Sequence, residues 1–203
     1  MNTPPKPPDA ATEETLADAT PWQPDDNHVF RLAQLVLLLS VAEDVKKRVT
    51  AVDRLGYYDF FAANPFVILE RDSQRDHADR LSLKFAGFVE GQLSYASTGQ
   101  RWASRRRRLQ HDLALLVAYG LVTLDGGAFD LTSAGRELSA DLSTVYADAY
   151  RVSASVVLRR LAQMSDRELR KNVQKWLGTS WLNLDLLDDV TPESMRVGED
   201  SNV

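Results

Sequence analysis

The chain has 203 residues, a formal net charge of −5 and no cysteine. The lack of cysteine excludes disulfide bonds and thiolate metal sites within this sequence, and it is usual for a cytoplasmic protein. Hydrophobic residues make up 44% of the chain, enough for a folded core, but no apolar run is long enough to cross a bilayer. The first residues carry prolines and acids where a signal peptide would be apolar. We therefore expect a cytoplasmic protein without a membrane segment.

Acidic residues are concentrated at both ends of the chain. Residues 1–26 hold six acids and one lysine, and residues 179–203 hold six acids and one arginine. The part between them, residues 27–178, has 17 acids and 22 lysines and arginines, a net charge of +5. Six of the eight prolines also fall in residues 1–26, so we expect a disordered tail there and an acidic tail after residue 178. A mildly basic body is compatible with nucleic acid without requiring it, and acidic tails can screen such a face.

The first predicted element follows the proline-rich tail. Apolar residues at helical spacing predict a buried helix from His28 to about Ala42. A basic link, DVKKRVT, comes next and contains Lys46, Lys47 and Arg48. This link is a candidate extension of any basic surface on the protein.

A second helix is predicted over the sequence AVDRLGYYDFFAANP. Thr50 is its expected N-cap, and the pair Asn64 and Pro65 ends it because proline disfavours helix in the residue before it. The following FVILE fits either a brief strand or a helical turn. Residues 70–80 are charged throughout and are expected as exposed linker or helix surface. Residues 81–98 fit a strand and a helix in either order.

The segment that begins SRRRRLQHDLALL has the clearest pattern. Apolar residues at helical spacing predict a helix from Ser104, which Gly120 ends as a C-cap. Two short runs, LVTL and AFDLT, then flank an Asp-Gly-Gly turn, a signal for a β-hairpin. Thr132 or Ser133 is the expected cap of the next helix.

Apolar residues from 138 to 156 recur at four-residue and three-residue spacings, like a heptad seam. Such a seam is typical of a long helix packed within its own domain. It also fits a helix that pairs with a partner or with a second copy, so a homodimer through residues 138–156 is the alternative. A final helix is predicted from about Asp166 to Leu177, ending at Gly178.

These elements predict a mainly α-helical fold with a small β-hairpin and long C-terminal helices. The sequence LLVAYGLVTLDGGAFDLTSAG resembles the second half of a winged helix, in which a helix, two strands and a further helix follow one another. We therefore expect a winged-helix-like body over residues 27–178. Winged helices bind DNA in some proteins and protein in others, so this pattern predicts a fold and leaves the function open.

The arginine run is the main candidate for binding. Four consecutive helical residues span roughly 400°, so they cannot share one face. The run is expected in the first turn of its helix, where the macrodipole disfavours cations. One interpretation is a solvated cap with one or two internal ion pairs to acids such as Asp112 or Glu137. The one we favour is a contact surface for phosphates or an acidic protein. The candidate binding residues are Arg101, Arg105, Arg106, Arg107, Arg108, Lys46, Lys47 and Arg48.

The sequence carries no common signature of catalysis. His28, His77 and His111 are each isolated, and HExxH, GxSxG, P-loop and GxGxxG motifs are all lacking. The sequence therefore predicts a protein without enzymatic activity, metal or cofactor.

Two stretches, AVDRLGYYDFFAANPFVIL and RRRRLQHDLALLVAYGLV, resemble the middle components of bacterial three-component ABC-ATPase systems. These include the accessory subunit of Lamassu-type anti-phage defence operons. The resemblance covers roughly residues 28–140 and has no catalytic motif. Its first stretch is carried by Asp53, Arg54, Leu55, Tyr58, Asp59, Phe60, Phe61, Asn64 and Pro65.

The resemblance implies a non-enzymatic scaffold subunit that associates with an SMC-like ATPase and an effector, often a nuclease. Non-specific contact with DNA in the same assembly is a secondary expectation. The alternative is a stand-alone winged-helix transcription regulator that binds DNA as a dimer. Such a regulator usually directs Asn, Gln and Arg side chains at base edges. Here the arginine-bearing helix turns apolar after its first turn, which favours the scaffold.

Overall fold

The computed structural model describes residues 26–70, 73–90 and 98–178. The disordered tail expected over residues 1–26 lies outside these ranges except for Asp26, and the acidic tail expected over residues 179–203 lies wholly outside them. The prediction of a mainly helical fold with a small β-hairpin is confirmed, while its winged-helix form remains a prediction. The elements, in chain order, are α1 (His28–Asp44), α2 (Val52–Ala63), a 3-10 helix (Pro65–Ile68), α3 (Gln74–Phe85), α4 (Thr98–Ala118), β1 (Val122–Asp125), β2 (Ala128–Leu131), α5 (Ser133–Asp141), α6 (Val145–Leu161) and α7 (Asp166–Leu177).

Helix α6 lies at the centre of the fold and packs against both α1 and α2. Small buried residues, Ala147, Ser153 and Ala154, allow neighbouring helices to approach it closely. Buried Tyr150 and Leu158 fill the space on either side. The core of the described protein is therefore built around α6.

Helix α1 is buried on almost every side, since all residues from Leu35 to Leu39 are buried. A helix that is apolar all round belongs in a core. Asn27 caps its first turn by accepting a hydrogen bond from the backbone N–H of Val29, at 2.9 Å. The helix extends two residues past the predicted end at Ala42.

The β-hairpin joins the body through the link that follows α1. β1 and β2 are antiparallel, with Val122 opposite Leu131. Gly126 and Gly127 form the turn with φ values of 55° and 80°, in the left-handed region that a tight hairpin turn requires. Val49 forms an isolated bridge with Phe129, so the basic link lies against the hairpin.

The hairpin is fastened to the end of α4 by the residues that start α5. The backbone N–H of Thr132 donates to the carbonyl of Leu121 at 3.0 Å. The Thr132 hydroxyl donates to the Gly120 carbonyl at 2.7 Å and accepts from the Gly135 N–H at 3.0 Å. A Cβ on Gly135 would lie 2.2 Å from the Leu121 carbonyl oxygen. The LTSAG motif is thus explained by a cap and a close backbone approach.

The predicted long helix over residues 138–156 is wrong, because the chain breaks it into α5 and α6. α5 ends at Asp141, and α6 begins after Thr144, whose hydroxyl caps it by accepting from the Ala147 N–H. Arg151 donates to two carbonyl oxygens at the end of α5 and so stabilises the break. The heptad-like seam does not lie on one helix, and a homodimer through it loses its basis.

Two further boundaries differ from the sequence prediction. α4 begins at Thr98, six residues before the predicted start at Ser104. The N-cap position of α2 is held by Ala51 in place of Thr50. Of the two alternatives for FVILE, the helical turn is the one that forms, as a 3-10 helix over Pro65–Ile68, because Pro65 at its first position favours it.

Ion pairs fasten α3 to α6. Asp76 is buried and accepts hydrogen bonds from the Glu70 backbone N–H at 2.7 Å and from Arg160 at 2.8 Å. Arg160 also pairs with Asp79 at 2.6 Å. Burial alone would raise the pKa of Asp76, but the Arg160 and Glu70 hydrogen bonds outweigh it and hold the pKa below its usual value.

Replacing Asp76 with asparagine should therefore destabilise the protein at pH 7 by about 1.5–3 kcal/mol, the range for hydrogen bonds to charged groups. A carboxylate with a lowered folded-state pKa stabilises above its unfolded pKa, about 3.9, and this contribution is lost as pH falls through the folded value. The difference between wild type and Asp76→Asn in urea unfolding should thus shrink as the pH is lowered from 7 to 3. Asp44→Asn, at an exposed position, is the control. A difference independent of pH would contradict this role.

Candidate partner-binding surface

The arginine run lies in the interior of α4 and not in its first turn. The helix begins at Thr98, so Arg105 is in its third turn. The prediction of a run at the helix N-terminus is therefore wrong, and the macrodipole argument for an exposed role no longer applies.

Arg105 is buried and belongs to the core. Its guanidinium makes a two-point contact with the carboxylate of Asp59 on α2, of which one hydrogen bond measures 2.8 Å, and it also donates to Gln34 on α1. The prediction that Arg105 is part of a contact surface is wrong. The reason is its position, three residues after buried Trp102 and four before buried Leu109, on the inner face of α4.

The Asp59 carboxylate accepts hydrogen bonds from side chains on two other helices, α4 and α6. Besides Arg105, it accepts a hydrogen bond from the Tyr150 hydroxyl on α6 at 3.2 Å. Burial raises the pKa of Tyr150 well above its ordinary value, and the negative charge of Asp59 raises it further, so the hydroxyl stays a donor. One buried polar cluster thus connects α1, α2, α4 and α6.

A second buried ion pair also involves α4. Arg31 on α1 donates to both carboxylate oxygens of Asp112, at 2.7 and 2.8 Å. Asp112 is therefore an internal ion-pair partner, as one interpretation of the sequence held, but its partner is Arg31 and not a member of the run. Glu137, the other acid considered, is exposed.

Arg101, upstream of the run, contacts the C-cap of α2, and Arg106 within the run contacts α2 itself. Arg101 donates to the Asn64 side chain at 3.2 Å, and Arg106 lies 3.6 Å from the carboxylate of Asp53. With the contact between Arg105 and Asp59, the start of the second stretch that carries the family resemblance contacts the first stretch. The arginine run is thus in part a docking element for α2.

Three arginines of the run reach the surface of the described structure. Arg107 is exposed, while the side chains of Arg106 and Arg108 are each 40% exposed. Arg108 pairs with Asp26, just before α1, at 2.9 Å. We call Arg106, Arg107 and Arg108 the α4 arginine surface.

The second predicted basic cluster lies elsewhere. Lys46 and Arg48 are exposed and Lys47 is half-buried, all just past the end of α1. Arg48 pairs with Asp130 on the hairpin. The α4 arginine surface has other contacts, to Asp26 before α1 and to Asp53 on α2. The two clusters therefore pair with different acids.

A basic face on α7 was missed in the sequence. The apolar side of this helix is buried, and its cations recur at positions i, i+3, i+4 and i+8 on the other side. This spacing of cations is visible in the sequence and indicates a basic helix face. A cleft lined by Asp53, Arg54 and Arg170 lies between the starts of α2 and α7. The exposed cations of α7 are Arg167, Arg170, Lys171 and Lys175.

Across 26–70, 73–90 and 98–178, no three His, Asp or Glu side chains are grouped so as to hold a metal ion. Among the helices of these ranges, none combines the length and apolar character that a membrane crossing needs.

Residues 89–183 match the family described as ABC-three component (ABC-3C) system Middle Component 2. No curated protein and no solved structure gives a significant match. The matched segment holds the whole arginine run, the hairpin and α5 to α7, whereas α2, on which the resemblance also rested, lies before it. Residues 89–140 are common to this match and to residues 28–140, over which the sequence resemblance was described. The match confirms the resemblance to the middle components, since residues 89–183 are similar to the ABC-3C Middle Component 2 family.

Proposed function

We propose that this protein is the non-enzymatic scaffold subunit of an ABC three-component system and docks its SMC-like ATPase through the α4 arginine surface. The family identifies an accessory component that works with the other components of its system. Anti-phage defence is the proposed setting, because the sequence resembles the accessory subunit of Lamassu-type operons. That resemblance adds an effector as a second partner, to which the described residues assign no surface.

The rigid presentation of three guanidinium groups carries this proposal. The opposite face of α4 is held in the core by Trp102, Arg105 and Leu109, so the helix cannot turn. Arginine is well suited to carboxylate-rich partners because its planar guanidinium can bind a carboxylate through two parallel hydrogen bonds. Complementary charge of this kind steers association and sets the orientation of the partner.

DNA is the secondary partner in this proposal. Arginine contacts to phosphate release counterions, so binding would fall steeply with salt and show little sequence preference. Arg105 is buried in its ion pair with Asp59, so it cannot contact a base edge as the arginines of a regulator do. The arrangement therefore supports contact with a charged surface more than sequence readout.

Replacing Arg106, Arg107 and Arg108 together with glutamate, while keeping Arg105, should abolish co-purification with the ATPase subunit. The fold should persist, because the exposed ion pairs of Arg106 and Arg108 are each worth about 0–1 kcal/mol. Co-expression followed by affinity purification of the ATPase measures assembly, and a thermal melt checks the fold.

The matched control reverses the same number of charges on α7, with Arg167, Arg170 and Lys171 changed to glutamate. Assembly should survive in this control. Normal assembly of the α4 variant would refute the docking role. Binding to a random-sequence duplex at 50 and 200 mM salt is measured in parallel. If the α4 variant lost only this binding, phosphate contact would be the role of the surface.

A further inference from the structure

The first described residue of the chain is held against the α4 arginine surface. The Asp26 carboxylate accepts a hydrogen bond from Arg108 at 2.9 Å. Its backbone carbonyl accepts one from Arg31 at 3.2 Å, and Arg31 is itself fixed by its buried pair with Asp112. The described part of the chain therefore begins at the edge of this surface.

Residues 1–25, which precede Asp26 in the chain, have the negative charge that the α4 arginine surface would bind. They contain five acids and one lysine. Asp25 adjoins the anchored residue, and Asp18 is eight residues from it, a span of at most about 28 Å. Carboxylates tethered at this distance have an effective concentration in the millimolar range. The five acids are Asp9, Glu13, Glu14, Asp18 and Asp25.

We infer that the acidic segment 1–25 occupies the α4 arginine surface of its own chain and competes with the anionic partner for it. The inference rests on the proposed function for the identity of the partner it excludes. Each carboxylate contact is weak and screened by salt, so a partner with a larger acidic surface displaces the segment. Weakly anionic molecules do not displace the segment, so the surface becomes accessible only to a strongly acidic partner.

The acidic segment at the other end of the chain is a natural comparison. Residue 178 follows α7, where Trp176 packs on Phe61 with ring centroids 5.4 Å apart, towards the end of α2. The α4 arginine surface contacts Asp53, in the first turn of α2. Residues 179–203 carry six acids, against five in residues 1–25, but they follow the end of α7, which packs towards the other end of α2.

The test uses two full-length variants with equal changes in charge. The first carries Asp9→Asn, Glu13→Gln, Glu14→Gln, Asp18→Asn and Asp25→Asn. The second, the matched control, carries Asp185→Asn, Asp188→Asn, Asp189→Asn, Glu193→Gln and Glu199→Gln. Arginine modification by phenylglyoxal is followed over time and assigned to residues by mass spectrometry.

Arg107 and Arg108 should react several-fold faster in the first variant than in wild type, while Arg170 on α7 keeps its rate. The control variant should behave as wild type. Equal rates in wild type and the first variant would overturn the inference. So would equal acceleration in both variants, because that result would show a general effect of net charge.

A second measurement uses a fluorescein-labelled peptide of ten glutamates as the competing anion. The first variant should bind it several-fold more tightly than wild type, and the control should not. Equal affinity of the first variant and wild type would overturn the competition. The phenylglyoxal measurement involves no partner, so it can fail while ATPase docking holds, and it can succeed while ATPase docking fails.

Discussion

Arg105→Ala is expected to lower the free energy of unfolding by about 3–5 kcal/mol, because it leaves the buried Asp59 carboxylate without its cationic partner. At roughly 2–4 °C per kcal/mol for a protein of this size, the melting temperature should fall by about 6–20 °C. Urea unfolding followed by circular dichroism measures the change.

Two comparison variants separate the ion pair from the arginine run as a whole. Arg107→Ala, two residues along the same helix and exposed, should change stability by no more than about 0.5 kcal/mol. The double variant Arg105→Met with Asp59→Leu should be more stable than Arg105→Ala, because no unpaired charge stays buried. If Arg105→Ala unfolded at the wild-type urea concentration, the buried cluster would have no structural role.

Gly135→Ala should destabilise the protein by about 1–3 kcal/mol through overpacking. The added Cβ would lie 2.2 Å from the backbone oxygen of Leu121, a distance that only a shift of the main chain relieves. That shift would weaken the hydrogen bond from the Thr132 N–H to the same oxygen. The hairpin should therefore loosen from the end of α4.

Hydrogen exchange resolves where the Gly135→Ala effect lies. The amide of Thr132 and that of Phe129, which is bonded to Val49, should exchange faster, while amides in the centre of α6 change least. Ala134→Ser adds one heavy atom at the adjacent exposed position and should have little effect. Wild-type stability of Gly135→Ala would show that the local backbone accommodates a methyl group.

The hairpin could be predicted because its signals are local. Gly120, Gly126 and Gly127 all have positive φ, and each stands where a C-cap or a tight turn requires it. Thr132 was one of two expected caps for α5, and it holds that position. Glycine and capping residues act within a few positions along the chain, so one sequence is enough to place them.

The break between α5 and α6 was missed although its signal was local too. Apolar residues continue at helical spacing across it, and this spacing outweighed the capping residue Thr144 in the sequence prediction. Arg151 stabilises the break from within α6. A periodic apolar pattern shows which residues share a face only where the helix is continuous.

The candidate surface was predicted in part. A run of four arginines must point in several directions, but which one points inward depends on the distant residue that it meets. Arg105 meets Asp59, 46 positions earlier in the chain. No spacing rule joins these two residues, so the sequence placed all four arginines in one candidate set. The tertiary pairing assigns Arg105 to the core and leaves Arg106, Arg107 and Arg108 at the surface.

The central position of α6 bears on how this protein should be divided for expression. The family match begins at residue 89, yet the partners that cover α6, namely α1 and α2, precede that residue. A fragment of residues 89–183 would uncover one side of α6 and would leave Arg105 without Asp59. The segment that matches the family model is thus shorter than the segment that forms a complete hydrophobic core. A fragment made for expression should therefore begin before α1 and include both α1 and α2.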